Sequence, residues 1–111
     1  MPHCIVEYSA DLKEQPLMTA VFDGTLKSGL FSHDGVDIKV RALPFKHHIT
    51  GDTQASFIHV VLKILAGRTS EQKQRLSDSV LQHILSNNYA DCSVTVEVLD
   101  IDTPCYAKAL V

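Results

Sequence analysis

The feature that most restricts the fold of this 111-residue chain is a doubled order of strand, helix, strand. His3 to Tyr8 is a short run rich in apolar residues that reads as a strand, with no slack sequence before it. Asp11 to Ser28 gathers Leu17, Met18, Val21, Phe22 and Leu26 on one helical face, tolerates Pro16 near its start and meets a stop signal at Gly29. Val36 to Leu43 then alternates, with Val36, Ile38, Val40 and Ala42 on one face and Asp37, Lys39, Arg41 and Leu43 on the other, which predicts a strand with one polar face. A connecting excursion over 44–53, carrying Gly51-Asp52 and room for a short edge strand, separates the two halves. Phe57 to Ala66 is the most apolar strand. Thr69 stands three residues before Gln72, the spacing of a capping box, ahead of a buried stripe of Leu76, Val80, Leu81, Ile84 and Leu85. Asn87-Asn88 end this second helix, and Ser93 to Ile101 supplies a last strand in which Val94, Val96 and Val98 alternate with Thr95, Glu97 and Leu99. No element is assigned from Asp102 onward.

Two βαβ units therefore fit in one domain of residues 1–111, the first over about 1–50 and the second over about 54–111. The repeat is one of structure, since the two halves share no obvious sequence. Each helix crosses between parallel strands with right-handed connection, which predicts an α+β, two-layer fold: a four-stranded sheet with both helices on one face. The opposite face, where charged side chains alternate beside apolar neighbours, is too mixed for a monomer surface and predicts a symmetric homo-oligomer.

With 45% hydrophobic residues the chain can bury a real core, and a net charge of -3 gives no basic surface for nucleic acid. An anionic small-molecule substrate would need a local basic pocket. Cys4, Cys92 and Cys105 are odd in number and widely spaced, which suits free thiols in a reducing cytoplasm. No export signal opens the chain and no apolar run reaches bilayer length, so a soluble cytoplasmic protein with no membrane contact is expected. His47-His48 point to opposite sides of an extended segment and no carboxylate pattern accompanies them, so neither a metal nor any other cofactor is expected. His3 and His59 read as structural or interface residues.

The run Leu62-Lys63-Ile64-Leu65-Ala66-Gly67-Arg68-Thr69-Ser70-Glu71-Gln72-Lys73 resembles the strand-to-helix junction of the 4-oxalocrotonate tautomerase family. Together with Met1-Pro2-His3, Ile5-Val6-Glu7 and His59-Val60, it resembles more closely the 5-carboxymethyl-2-hydroxymuconate isomerase family, the two-unit relative, over nearly the whole chain. The resemblance implies a tautomerase-like βαβ repeat, a trimer of two-unit chains, and an isomerase of unsaturated keto or hydroxy acids from aromatic degradation. It also implies a catalytic N-terminal proline exposed by removal of the initiator methionine.

On that reading Pro2 is the catalytic base. Once first in the chain, proline offers a secondary amine, whereas a retained Met1 turns the same nitrogen into an amide that accepts no proton. Burial or a neighbouring cation lowers an amine's pKa towards working pH. Arg68 is the second catalytic candidate: its fixed donors suit a carboxylate or a developing oxyanion, and it stands directly before a helix N-terminus, which favours anions. Taken singly, a Met-Pro start means only a trimmed methionine and an arginine before a helix is a solvated charge. The isomerase family's second arginine, on the strand after the first helix, matches Asp37 here, and Thr95 stands at the corresponding place in the second unit. Lys39 and Arg41, two and four residues beyond Asp37, are candidate substrate-binding residues if the pocket is shifted along the strand. Otherwise the substrate differs, or Asp37 pairs with one of them and the site is silent.

Two other functions compete with the isomerase: a non-catalytic small-molecule-binding or interaction protein on the same scaffold, and a ferredoxin-like binding domain or small monooxygenase. Strand order separates the last, which interleaves its two units, from the first two.

Overall fold

The computed structural model describes residues 1–51 and 53–111, so Asp52 of the expected turn lies outside the described residues. Its elements are β1 (His3–Ser9), α1 (Glu14–Lys27), β2 (Lys39–Phe45), β3 (Ser56–Leu65), α2 (Ser70–Leu85) and β4 (Cys92–Ile101), followed by a 3₁₀ turn over Thr103–Cys105. The sheet order is β2-β1-β3-β4. Each unit stays together: β1 pairs in parallel with β2, β3 in parallel with β4, and the units join through antiparallel β1 and β3. The units are not interleaved, which removes the ferredoxin-like alternative.

Period-two alternation sends Cys4, Val6 and Tyr8 of β1 and Ile58, Val60, Leu62 and Ile64 of β3 to the buried side. There they meet Leu17 and Val21 of α1 and Leu76, Val80 and Ile84 of α2, which together form one core. The helices approach closely at Gly24, where an added Cβ would lie 2.7 Å from the Val80 Cα. Ser79 secures that crossing by donating its hydroxyl to the Gly24 carbonyl at 2.7 Å.

The expected β2 began at Val36, but the ladder begins at Lys39, whose N–H donates to the Pro2 carbonyl. The cause is a turn. Gly35 has φ +71°, the Gly35 and Ile38 amides bond back to the Ser32 and Gly35 carbonyls, and the Asp34 carboxylate accepts from the Val36 N–H. These bonds hold 35–38 out of the sheet, so Asp37 does not share a strand face with Lys39 and Arg41. The other end of β2 runs on through Pro44 to Phe45, which an edge strand tolerates because proline removes a donor only on one side. No further strand follows before Ser56 among the described residues.

The second helix starts as its sequence dictates: the Thr69 hydroxyl accepts from Gln72 N–H and the Gln72 side chain accepts from Thr69 N–H. Gly29 with φ +75° follows the Ser28 cap of α1 as a C-terminal glycine. The other sheet face is uncovered by any helix, and it carries Ile5 and Val61 beside charged residues. There the His59 ring is held by Thr95 Oγ1 at 2.7 Å and Glu97 Oε2 at 2.6 Å. Among the described residues no helix is long and apolar enough to cross a membrane.

Candidate active site

Because β1 starts at His3, pairing on both sides fixes the terminus. Pro2 is fully buried, and its carbonyl is the first acceptor of the β1–β2 ladder. Met1 lies in a cavity of about 350 Å³ shared with Leu30, Phe31, Ser32, Asp37, Leu65, Arg68 and Lys108. That volume suits a small organic acid. A groove of similar size, about 360 Å³, lies between α1 and α2 over Pro16, Ala20, His83 and Asn87, away from the terminus and its charges.

The chain folds Arg68 into the terminal cavity through Gly67, whose φ of +122° turns the end of β3 into the start of α2. The guanidinium is half-buried and held: Nη2 donates to the Leu30 carbonyl at 2.8 Å, and the group lies 5.6 Å from the Phe31 ring centre. This is not a freely solvated charge, and among the described residues one of its five N–H donors is engaged, by the Leu30 carbonyl. It also stands one residue before the α2 N-cap, where the helix dipole adds to its field.

Around the terminus, the Met1 amine donates to the Asp37 carbonyl, which also lies 3.5 Å from the Lys39 Nζ. The amine's pKa is pushed below its ordinary value, first by burial, then by the Lys39 charge and more weakly by Lys108, with Asp37 opposing. Lys39 thus acts on the terminus electrostatically from outside the cavity lining, and Arg41 stands elsewhere. Opposite Ile5 in the register, Arg41 reaches the uncovered sheet face, where Nη1 lies 3.3 Å from His3 Nδ1. A guanidinium only donates, so Nδ1 accepts and the His3 Nε2–H donates to the Tyr106 hydroxyl at 2.9 Å. Burial and the Arg41 charge push the His3 pKa down, in keeping with this neutral ring.

The structure therefore brings the terminus, Asp37 and Arg68 to one cavity, with Lys39 at its edge and Arg41 outside it. Sequence reasoning missed Lys108. The tail leaves β4, turns through Thr103–Cys105 and is pinned by Tyr106 on His3, which returns Lys108 to the cavity. A lone tyrosine in a tail without periodicity was the only signal. His48 stacks edge-on against Phe57 at 5.0 Å between ring centres, far along the chain from this site. Among the described residues no group of three or more His, Cys, Asp or Glu side chains could hold a metal ion.

The family model described as 5-carboxymethyl-2-hydroxymuconate isomerase matches residues 2–101, most of the chain. The chain belongs to the 5-carboxymethyl-2-hydroxymuconate isomerase family. It is a tautomerase-type enzyme of the isomerase class. No curated protein matches its sequence significantly. Its fold is similar to that of a solved 5-carboxymethyl-2-hydroxymuconate delta-isomerase, with a TM-score of 0.74 and 18% identity over 100% of this chain and 89% of that one. It is also similar to a protein inactivated by 2-oxo-3-pentynoate, with a TM-score of 0.77 and 19% identity over 96% and 92% of the two chains. A fused 4-OT solved as a symmetric trimer is a third, with a TM-score of 0.73 and 19% identity over 89% of this chain and 85% of its own. At these identities the likeness establishes the fold, and the family rests on the sequence model.

Proposed function

We propose that this isomerase moves a double bond in an unsaturated keto or hydroxy carboxylic acid by proton transfer through Pro2, after Met1 is removed. The reaction is of the 5-carboxymethyl-2-hydroxymuconate delta-isomerase type. Neutral Pro2 takes a proton from a dienol hydroxyl or from carbon next to a carbonyl, and the resulting prolinium returns it further along the conjugated system. Arg68 binds the substrate carboxylate or the oxygen on which charge develops, and Lys108 supplies a second cation at the same cavity. Lys39 tunes the amine from the rim; a direct part for Arg41 in binding requires a rearranged side chain or another subunit.

The observation that carries this reading is the burial of Pro2 behind Met1 at a cavity that also holds a fixed guanidinium. The depressed pKa of the Met1 amine, lowered first by burial and then by the Lys39 charge, supports it further, because Pro2 is the more buried of the two residues. The mixed uncovered sheet face, together with the trimeric 4-OT neighbour, supports a homo-oligomer, in this reading a trimer; the same reading has it act in the cytoplasm on an aromatic-derived acid. Asp37 in the cavity favours a second reading, a non-catalytic binding protein on this scaffold, since a carboxylate there opposes an acidic substrate.

The two readings part in one experiment. Intact mass first establishes loss of Met1; the enolisation rate of a conjugated 2-keto acid is then compared in wild type, Pro2→Ala and Arg68→Ala. Isomerase action gives a rate that collapses in both variants. Equal rates in all three proteins leave only the binding reading.

A further inference from the structure

One group in the cavity is given no work by the proton transfer: the Asp37 carboxylate. Its Oδ1 is closed to water yet has no hydrogen-bond partner, and it is alone in this among the described side chains. Native proteins leave few such atoms, because a shielded acceptor loses water and gains nothing in exchange. Among the described residues no donor of the cavity lining is directed at it. The Ser32 hydroxyl donates to Asp34 Oδ1 at 2.8 Å, Arg68 Nη2 donates to the Leu30 carbonyl, and the Met1 amine donates to the main-chain carbonyl of Asp37 itself. Asp37, Arg68 and Lys108 nonetheless line the same cavity. The cavity thus holds two side-chain cations, Arg68 and Lys108, and one unsatisfied side-chain anion, and Met1 shares its lining with them.

We infer that the Asp37 carboxylate receives a hydrogen-bond donor carried by the substrate. The substrate class is then an unsaturated keto or hydroxy monocarboxylate whose far end bears a hydroxyl or ammonium group. Its single carboxylate is held by Arg68 and Lys108, while the matching dicarboxylate is rejected because its second carboxylate would face Asp37. Like-charge juxtaposition away from water is an effective means of rejection, and an unpaired buried acceptor discriminates against any ligand lacking the donor. This inference rests on the isomerase reading of the same cavity, but its test does not depend on turnover.

The test is calorimetric titration of the Met1-free protein with two five-carbon acids that differ at one end: (E)-5-hydroxypent-2-enoate and its dicarboxylate counterpart, (E)-glutaconate. Wild type should bind the hydroxy acid at least about tenfold more tightly. Asp37→Asn, which keeps the shape and removes the charge, should bring the ratio towards one, and Asp37→Arg should invert it. Circular dichroism checks the fold of each variant, and the isosteric Asp37→Asn carries the test if Asp37→Arg does not fold. Equal or tighter binding of glutaconate by wild type, a ratio unmoved by Asp37→Asn, or no binding of either acid overturns the inference. Failure of the proton-transfer reading shows separately, as turnover that survives Pro2→Ala while the binding ratio stands.

Discussion

The two strand-to-helix junctions occupy equivalent places in the two βαβ units, yet they are built differently. Between β1 and α1 the chain runs Ala10-Asp11-Leu12-Lys13, and the Lys13 N-cap makes no side-chain cap bond. Between β3 and α2 it runs Ala66-Gly67-Arg68-Thr69, with a glycine at positive φ, a held guanidinium and a complete capping box. Repetition gives the fold its symmetry, but only one junction faces the terminus. The site is assembled from unlike pieces: the start of β1 from the first unit, the turn ahead of β2, the second junction, and the tail. A half-domain of this chain would carry no complete cavity.

The largest effect expected on that asymmetry is at the terminus itself. Pro2→Ala exchanges the secondary amine for a primary one at the same place, and should lower kcat by about 10²-fold or more, the usual contribution of a positioned acid or base. Next comes the junction cation. Arg68→Ala should cost on the order of 10² in kcat/KM, as loss of an oxyanion donor does. Lys13→Ala at the first junction should leave steady-state rates unchanged; equal losses from the two would break the comparison. Gly24→Ala, where the helices meet, drives a Cβ to 2.7 Å from the Val80 Cα and should cost about 1–3 kcal/mol in chemical denaturation. The smallest pair concerns the caps. Thr69→Ala should lose about 1 kcal/mol, while Lys13→Ser should gain a fraction of that by giving α1 the cap it lacks. Thermal melts read both, and a neutral Thr69→Ala would mean that the capping box holds nothing.

Where local pattern decided structure, the sequence was legible. The apolar runs of β1 and β3, the alternation of β4 and the Thr69/Gln72 spacing lead directly to elements within a few residues of their observed ends. The start of β2 was not legible in the same way, because Val36-Asp37-Ile38 continues the alternation while Gly35 and the Asp34 carboxylate bind it into a turn. That shift decides the site: Asp37 leaves the strand and turns to the cavity, Lys39 opens the ladder beside Pro2, and Arg41 falls on the uncovered face with His3. Arg68 was readable because its motif is local. Lys108 was not, since its position depends on Tyr106 meeting His3 across 103 residues of sequence, a contact that no period announces.

The central claim is that Pro2 is a free amine poised to accept a proton. Nuclear magnetic resonance titration of protein labelled with ¹⁵N-proline tests it without any substrate, because only a chain-terminal proline nitrogen titrates. Burial and the flanking cations should give one titrating proline nitrogen with a midpoint below the ordinary range of an exposed chain-terminal proline. That amine is neutral above its midpoint, so activity should rise with pH through the same value. Absence of any titrating proline nitrogen, or a midpoint at or above the ordinary range, would contradict it.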